Sequence, residues 1–136
     1  MTRVIVFGTF DLLHKGHCSL FDQAKSHGDE LFVVVARDVS VRKGKKREPV
    51  ENELQRLANV KDNPLVDHAM LGHEHDNRYQ VIEEVQTDVI CIGYDQKTPP
   101  NFEQTLFDKN INAKVVKLKA YFPEKYKTTK LRESKS

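Results

Sequence analysis

The sequence predicts a single α/β domain, residues 1–136, built on a doubly wound, Rossmann-like parallel sheet of five strands. Short apolar runs alternate along the chain with segments of helical periodicity, an order typical of parallel strands joined by right-handed crossovers. The length of 136 residues fits one domain, and a hydrophobic content of 38% is enough for one core. No internal repeat and no linker-like stretch interrupts the pattern.

Five short apolar runs carry the strand prediction. Most of these runs do not alternate with polar residues, as expected of strands that are covered on both faces. The predicted strands are 3–7, 31–36, 67–71, 88–93 and 113–118. The ligand site of such a sheet lies at the carboxyl ends of its strands, where the strand order reverses.

The helix predictions rest on apolar residues at spacings of three and four. Leu54, Leu57 and Ala58 illustrate this spacing, and Gly28 is placed to end the first helix. The predicted helices are 15–27, 51–61, 78–86, 101–110 and a short terminal helix at 128–133. The concentrated basic run at 42–47 is predicted to be a loop.

Composition and charge exclude several classes of function. A formal net charge of +2 does not fit a nucleic-acid coat or a polybasic membrane binder. The basic run at 42–47 contains no aromatic residue to stack on bases, so we expect no nucleic-acid partner. No apolar stretch approaches the roughly 20 residues of a membrane span.

The cysteines and the first residues predict a cytoplasmic protein. Cys18 and Cys91 stand in unrelated contexts and form no C-x-x-C pair, as expected of reduced thiols. The chain enters its first strand directly, without a charged segment followed by a long apolar one, so we expect no signal peptide.

The most informative stretch is 8–17, which reads Gly-Thr-Phe-Asp-Leu-Leu-His-Lys-Gly-His. Gly8 and Gly16 permit a close backbone approach, and a helix that begins near Lys15 supplies free amides and a positive dipole end. His14 and His17 add directional donors, since imidazole donates to an oxyanion in either protonation state. The arrangement suits a nucleoside triphosphate whose α-phosphorus is attacked by an incoming phosphate.

A second anion site is predicted near the carboxyl end of the chain. Thr128 and Thr129 would open a helix, and Lys130 follows them. The alternative is that Thr128 is only a helix cap. The polar stretch His73-Glu74-His75-Asp76 is best explained as a solvated loop, because no third and fourth zinc ligand follows at a convincing spacing.

Residues 8–17 resemble the signature of the cytidylyltransferase-like nucleotidyltransferases, His-x-Gly-His preceded by Gly-[Thr/Ser]-Phe-Asp. The resemblance covers most of the chain and includes the segments at 28–31, 35–38, 93–96 and 127–130. Within this group the chain looks most like archaeal-type FAD synthases, which adenylylate FMN. It is also similar to bacterial glycerol-3-phosphate cytidylyltransferases. The resemblance implies a HIGH-type nucleotidyltransferase fold.

The resemblance also implies roles for individual residues. His14, His17 and Lys130 are the implied catalytic residues. The implied nucleotide-binding residues are Gly8, Thr9, Phe10, Asp11, Gly16, Gly93, Asp95, Thr128 and Thr129. The implied contacts to the acceptor or to phosphate are Lys43, Lys45, Lys46 and Arg56. Magnesium or another divalent cation is expected with the triphosphate. A homodimer is expected, because small enzymes of this family are commonly dimers.

Two readings of the substrates remain open. The pair ATP and FMN is preferred, and the alternative is CTP with glycerol 3-phosphate or another alcohol phosphate. Lys15 stands where the glycerol-phosphate enzymes usually have tryptophan, and the segment 121–126 differs from theirs. Its Tyr121, Phe122 and Tyr126 would either stack on a flavin ring or anchor the tail on the core.

Two further hypotheses belong to other classes. A nucleotide-binding module without turnover would be expected to have lost one histidine or the terminal hydroxyl pair, and this chain keeps all of them. A fragment of a class I aminoacyl-tRNA synthetase-like enzyme would share the two signatures, but the chain has no room for an amino-acid pocket and a tRNA-binding domain.

Overall fold

The computed structural model describes residues 1–45, 48–73, 78–94, 96 and 98–119. In this part of the chain the strands are β1 Arg3–Gly8, β2 Glu30–Val35, β3 His68–Leu71, β4 Val89–Ile92 and β5 Lys114–Lys117. The helices are α1 Lys15–Lys25, α2 Asp38–Lys45, α3 Glu53–Lys61, α4 Arg78–Val85 and α5 Phe102–Asp108. The predicted terminal helix at 128–133 lies outside the described residues.

All five strands are parallel and form one sheet in the order β3-β2-β1-β4-β5. Val4 pairs with Leu31 of β2 on one side and with Val89 of β4 on the other. The order therefore reverses between β1 and β4, which is where a ligand site is expected in such a sheet. The predicted doubly wound five-stranded sheet is confirmed.

The side chains of β1 alternate between two apolar layers. Val4 and Val6 pack into a core that includes Phe21 of α1 and Val60 of α3. Ile5 packs into a second core on the opposite face, which holds the buried residues of α4 and α5. The central strand is covered on both faces, which explains why its sequence is a continuous apolar run.

Cys91 is fully buried within β4, as predicted for a core side chain. Burial raises the pKa of its thiol to about 11, because a thiolate would lose its solvation there. This cysteine is therefore a protonated packing group at neutral pH.

The first helix ends two residues earlier than predicted, and Gly28 has a different role. The helix ends at Lys25, and its C-cap Ser26 has right-handed backbone angles. Gly28 does not adopt a positive φ. A Cβ atom at Gly28 would lie 2.6 Å from Cγ2 of Val4 and 2.8 Å from the carbonyl oxygen of Thr2. The glycine is needed because the turn passes tightly against the start of β1.

The prediction of a loop over the basic run is wrong for its described part, because α2 extends to Lys45. The backbone N–H of Asp38 donates to Oε1 of Glu53 at 2.8 Å, which satisfies one donor at the start of α2. Val41 is 2% exposed and anchors this helix to the domain. Lysine and arginine are good helix formers, so their charge does not oppose the helix. Lys46 and Arg47 lie outside the described residues.

Smaller differences concern the ends of elements. The helix α3 begins at Glu53 rather than at residue 51, because the Asn52 side chain accepts from the backbone N–H of Gln55 at 2.8 Å and caps it. The strands β3, β4 and β5 each begin one residue later than predicted. No helix among the described residues is long and apolar enough to cross a membrane.

Candidate active site

A cleft of about 750 Å³ lies along the carboxyl edge of the sheet. The loop after β1 and the first turns of α1 line one side of it. The ends of β2 and β4 and parts of α2 and α4 line the remainder. The cleft therefore crosses the point where the strand order reverses, and its volume falls within the usual range for small-molecule sites.

The two histidines of the motif form a reciprocal cap at the start of α1. Nδ1 of His14 accepts from the backbone N–H of Gly16 at 3.0 Å. Nδ1 of His17 accepts from the backbone N–H of His14 at 3.2 Å. The two ring centroids are 4.1 Å apart, and both side chains line the cleft. A Cβ atom on Gly16 would lie 2.7 Å from Cε1 of His14, so the cap requires glycine there.

This cap determines what the imidazoles can do. Each Nδ1 accepts a backbone hydrogen bond, so the neutral ring carries its proton on Nε2. Nε2–H is a hydrogen-bond donor and has no lone pair with which to attack phosphorus. The positive end of the α1 dipole lies beside the same rings and favours negative charge. The pair therefore suits the stabilisation of phosphate oxygens, without a covalent intermediate.

The loop between β1 and α1 has an unfavourable backbone. Phe10 has a φ of 57° and Leu12 a φ of 54°, values that are rare for residues other than glycine. Both oxygens of Asp11 accept backbone hydrogen bonds, from Val50 at 2.7 Å and from Glu51 at 2.9 Å. The Glu51 carboxylate accepts from the backbone N–H of Leu12 at 3.0 Å. The segment before α3 thus holds the loop in place.

Arg56 is fully buried at the centre of these contacts. Its Nη1 donates to the carbonyl oxygens of Thr9 at 2.8 Å and Ala36 at 2.7 Å. Its Nε donates to the carbonyl oxygen of Glu51 at 3.0 Å, and its Nη2 pairs with Oδ1 of Asp38 at 2.6 Å. Arg56 is absent from the cleft lining. Its contacts support a positioning role rather than the phosphate contact that the resemblance implies.

The Arg56 contacts continue into a polar network across the edge of the sheet. Oδ2 of Asp38 accepts from the backbone N–H of Glu53 at 3.2 Å, while Glu53 caps α2 in return. The second oxygen of Glu53 accepts from Arg37 at 3.4 Å. Nε of Arg37 donates to the carbonyl oxygen of Gly72, just after β3, at 2.8 Å. This network links the ends of β1, β2 and β3.

Gln96 links two strand ends at the point where the strand order reverses. Its Nε2 donates to the carbonyl oxygen of Phe7 at 2.8 Å, and its Oε1 accepts from the backbone N–H of Gly93 at 2.8 Å. The side chain therefore joins the ends of β1 and β4 inside the cleft. Gln96 lies in the segment 93–96 that the resemblance covers, but the sequence assigns it no role of its own. A further signal is that Gln96 is an amide residue shortly after the end of a buried strand.

The structure brings most of the predicted nucleotide-binding residues together. The cleft lining includes Gly8, Thr9, Phe10, Asp11, Gly16 and Gly93, together with the two histidines. Lys43 is exposed on α2 and is absent from that lining, while Lys45 is described only as the last residue of the helix. Lys46, Asp95, Thr128, Thr129 and Lys130 lie outside the described residues, as does the stretch 74–76 of the predicted polar loop.

A divalent cation is expected to accompany the nucleoside triphosphate, as in nucleotidyltransferases generally. Among the described residues, no group of three or more histidine, cysteine or acidic side chains is placed to hold a metal ion. Magnesium is commonly bound through one or two carboxylates together with substrate phosphates.

The model of the cytidylyltransferase-like family matches residues 5–134, which is almost the whole chain. The chain belongs to the cytidylyltransferase-like family. It is 44% identical over 119 residues to the FAD synthase of Methanohalophilus mahii, a match that covers 87% of this chain and 82% of the relative. It is 43% identical over 119 residues to the FAD synthase of Methanosarcina barkeri, covering 87% and 84%.

Two solved structures share the fold. The lipopolysaccharide core biosynthesis protein of Thermoplasma volcanium superposes with a TM-score of 0.82 at 39% identity, covering 90% of this chain and 99% of that one. The pantoate-beta-alanine ligase of Francisella tularensis superposes with a TM-score of 0.57 at 17% identity, covering 86% and 58%. The second likeness concerns the fold alone.

Replacing His17 tests the role of the capped imidazoles. His17→Ala is expected to lower kcat by on the order of 10²–10⁴, because one preorganised donor is lost from the transition state. Thermal unfolding followed by circular dichroism should show a small change, since His17 is partly exposed at a helix end. A variant with near-normal turnover would contradict the assignment.

Replacing Arg56 tests the buried clamp. Arg56→Met is expected to lower the free energy of unfolding in urea by about 3–5 kcal/mol, because Asp38 and several carbonyls lose a buried partner. The matched control is Arg42→Met, which breaks an exposed pair with Glu48 and should cost less than about 1 kcal/mol. Equal stability of the two variants would refute the clamp.

Proposed function

We propose that this chain is an FMN adenylyltransferase, which transfers AMP from ATP to the phosphate of FMN and releases pyrophosphate. The observation that carries the proposal is the pair of Nδ1-capped histidines at the start of α1, facing a cleft at the reversal point of the sheet. The FAD synthases similar to this chain, at 43–44% identity over 87% of its length, support the choice of substrates.

The proposed reaction is a single in-line displacement. A phosphate oxygen of FMN attacks the α-phosphorus of ATP, the new P–O–P bond forms, and the bond to pyrophosphate breaks. His14 and His17 donate from Nε2 to oxygens of the five-coordinate phosphorus. The backbone amides at the start of α1 add to this stabilisation. No side chain needs to carry the nucleotide.

The remaining site residues are assigned by proposal. The magnesium complex of ATP is the substrate, and its nucleoside is proposed to lie beside Gly93 and Asp95. Thr128, Thr129 and Lys130 are proposed to bind the β- and γ-phosphates, and Lys43, Lys45 and Lys46 to bind phosphate near α2. Tyr121 and Tyr126 stay candidates for a contact with the flavin or with the core.

The protein is proposed to work in the cytoplasm as a homodimer, as small enzymes of this family commonly do. Two alternative functions are kept as outcomes of the experiment. A glycerol-3-phosphate cytidylyltransferase would use CTP, and a nucleotide-binding module would bind without turnover. The intact histidine pair favours an enzyme over the binding module.

Pyrophosphate release measured over a small matrix tests the proposal. ATP and CTP are each paired with FMN, glycerol 3-phosphate and phosphocholine in the presence of magnesium, with His17→Ala as the background control. We expect pyrophosphate release only for the pair ATP and FMN, together with FAD in the product mixture. Release with CTP and an alcohol phosphate would replace the proposed substrates, and nucleotide binding without release for every acceptor would support the non-catalytic module.

A further inference from the structure

One part of the cleft has no substrate group assigned to it in the proposed reaction. It lies between the ends of β1, β2 and β3 and the start of α4, and we call it the α4 arm. Its members are Phe7, Val34, Gly72, His73, Arg78 and Val81, all of which line the cleft. Val34, Gly72 and His73 lie on or directly after β2 and β3, on the other side of β1 from β4, whereas Gly93 and Asp95, where the nucleoside is proposed to bind, follow β4.

The floor of the α4 arm is apolar. Val34 is 2% exposed and Val81 is 4% exposed, and both belong to the core on the α4 face of the sheet. Phe7 is partly buried against the same core. These side chains stand on strands and a helix rather than on loops, so the floor is preformed. A preformed apolar surface suits a flat apolar ring.

Planar polar groups border this floor. The guanidinium carbon of Arg78 lies 5.7 Å from the centroid of the Phe7 ring. Nε2 of His73 lies 3.2 Å from Oε1 of Glu84, which holds the imidazole at the rim. A guanidinium stacks on aromatic rings and also donates hydrogen bonds in its own plane, so it can contact both the face and the carbonyl edge of a heterocycle.

We propose that the α4 arm binds the isoalloxazine ring of the acceptor, with Phe7, Val34 and Val81 as its floor and Arg78 as its polar contact. The inference rests on the proposed function. An isoalloxazine is a tricycle with an apolar dimethylbenzene edge at one end and carbonyl groups at the other. Adenine is smaller and polar around its edge, so the apolar arm fits the flavin better. The flavin would then lie beside β1, β2 and α4, and the nucleoside beside the end of β4.

The first test is flavin binding, followed by fluorescence anisotropy in the wild type and in Arg78→Ala. The variant is expected to raise the Kd for FMN about 10-fold, within the range of a cation–aromatic contact. In steady-state assays its KM for FMN should rise similarly, while its KM for ATP stays within about 2-fold. A Kd for FMN equal to that of the wild type would overturn the α4 arm while leaving the proposed function intact.

The matched control is Lys109→Ala. Nζ of Lys109 lies 5.7 Å from the centroid of the Tyr79 ring, the same separation as in the Arg78 pair, and neither residue lines the cleft. This variant should bind FMN as the wild type does. An equal loss in both variants would mean that the effect is structural, which would overturn the assignment of Arg78.

Riboflavin separates a ring contact from a phosphate contact, because it carries the ring without the phosphate. We expect Arg78→Ala to raise the Kd for riboflavin and the Kd for FMN by the same factor. If only the Kd for FMN rises, Arg78 contacts the phosphate. If only the Kd for ATP rises, the α4 arm binds adenine. Either result overturns the inference, as does a wild-type protein that binds FMN but not riboflavin. A wild type that forms no FAD and binds no FMN would refute the proposed function itself.

Discussion

The buried guanidinium of Arg56 is the interaction on which the described site depends. It joins the carbonyl ends of β1 and β2 to Asp38 of α2 and to the segment that leads into α3. The motif loop needs such support, because left-handed residues such as Phe10 and Leu12 each cost on the order of 1–3 kcal/mol. Hydrogen bonds that involve a charged group contribute about 1.5–3 kcal/mol each, so the contacts with Arg56, Asp11 and Glu51 are of the required size.

The same constraint determines the chemistry that the loop can perform. The contacts with Arg56, Asp11 and Glu51 fix the loop, and this places His14 at the start of α1. The reciprocal cap then directs both Nε2–H groups away from the helix backbone. The donors are thus fixed before a substrate arrives, which is the condition under which hydrogen bonds lower a reaction barrier most effectively. The proposed catalysis relies on placement, since phosphoryl and nucleotidyl transfer require little covalent help.

The sequence was sufficient for the sheet, because five apolar runs of strand length separated by helices allow few arrangements. It was also sufficient to predict that His14 and His17 lie together at the start of α1, because their spacing around Gly16 is local. The resemblance singled out Arg56, but its buried contacts could not be predicted, because they depend on four chain segments that converge only in the fold. The same reason explains why the sequence does not predict the network through Arg37 and Glu53 or the bridge made by Gln96. Their hydrogen-bond partners are distant in sequence. The prediction of a loop over the basic run was wrong for its described part, because lysine and arginine favour helices and the buried Val41 anchors α2.

The central claim is that the capped histidines donate hydrogen bonds and never carry the nucleotide. The stereochemical course of the reaction tests it directly. FMN is allowed to react with one diastereomer of ATP that bears sulfur on the α-phosphorus, and the configuration of the phosphorothioate product is determined. A single displacement predicts inversion at phosphorus. Retention would require two displacements through an adenylyl-enzyme, and it would contradict the account.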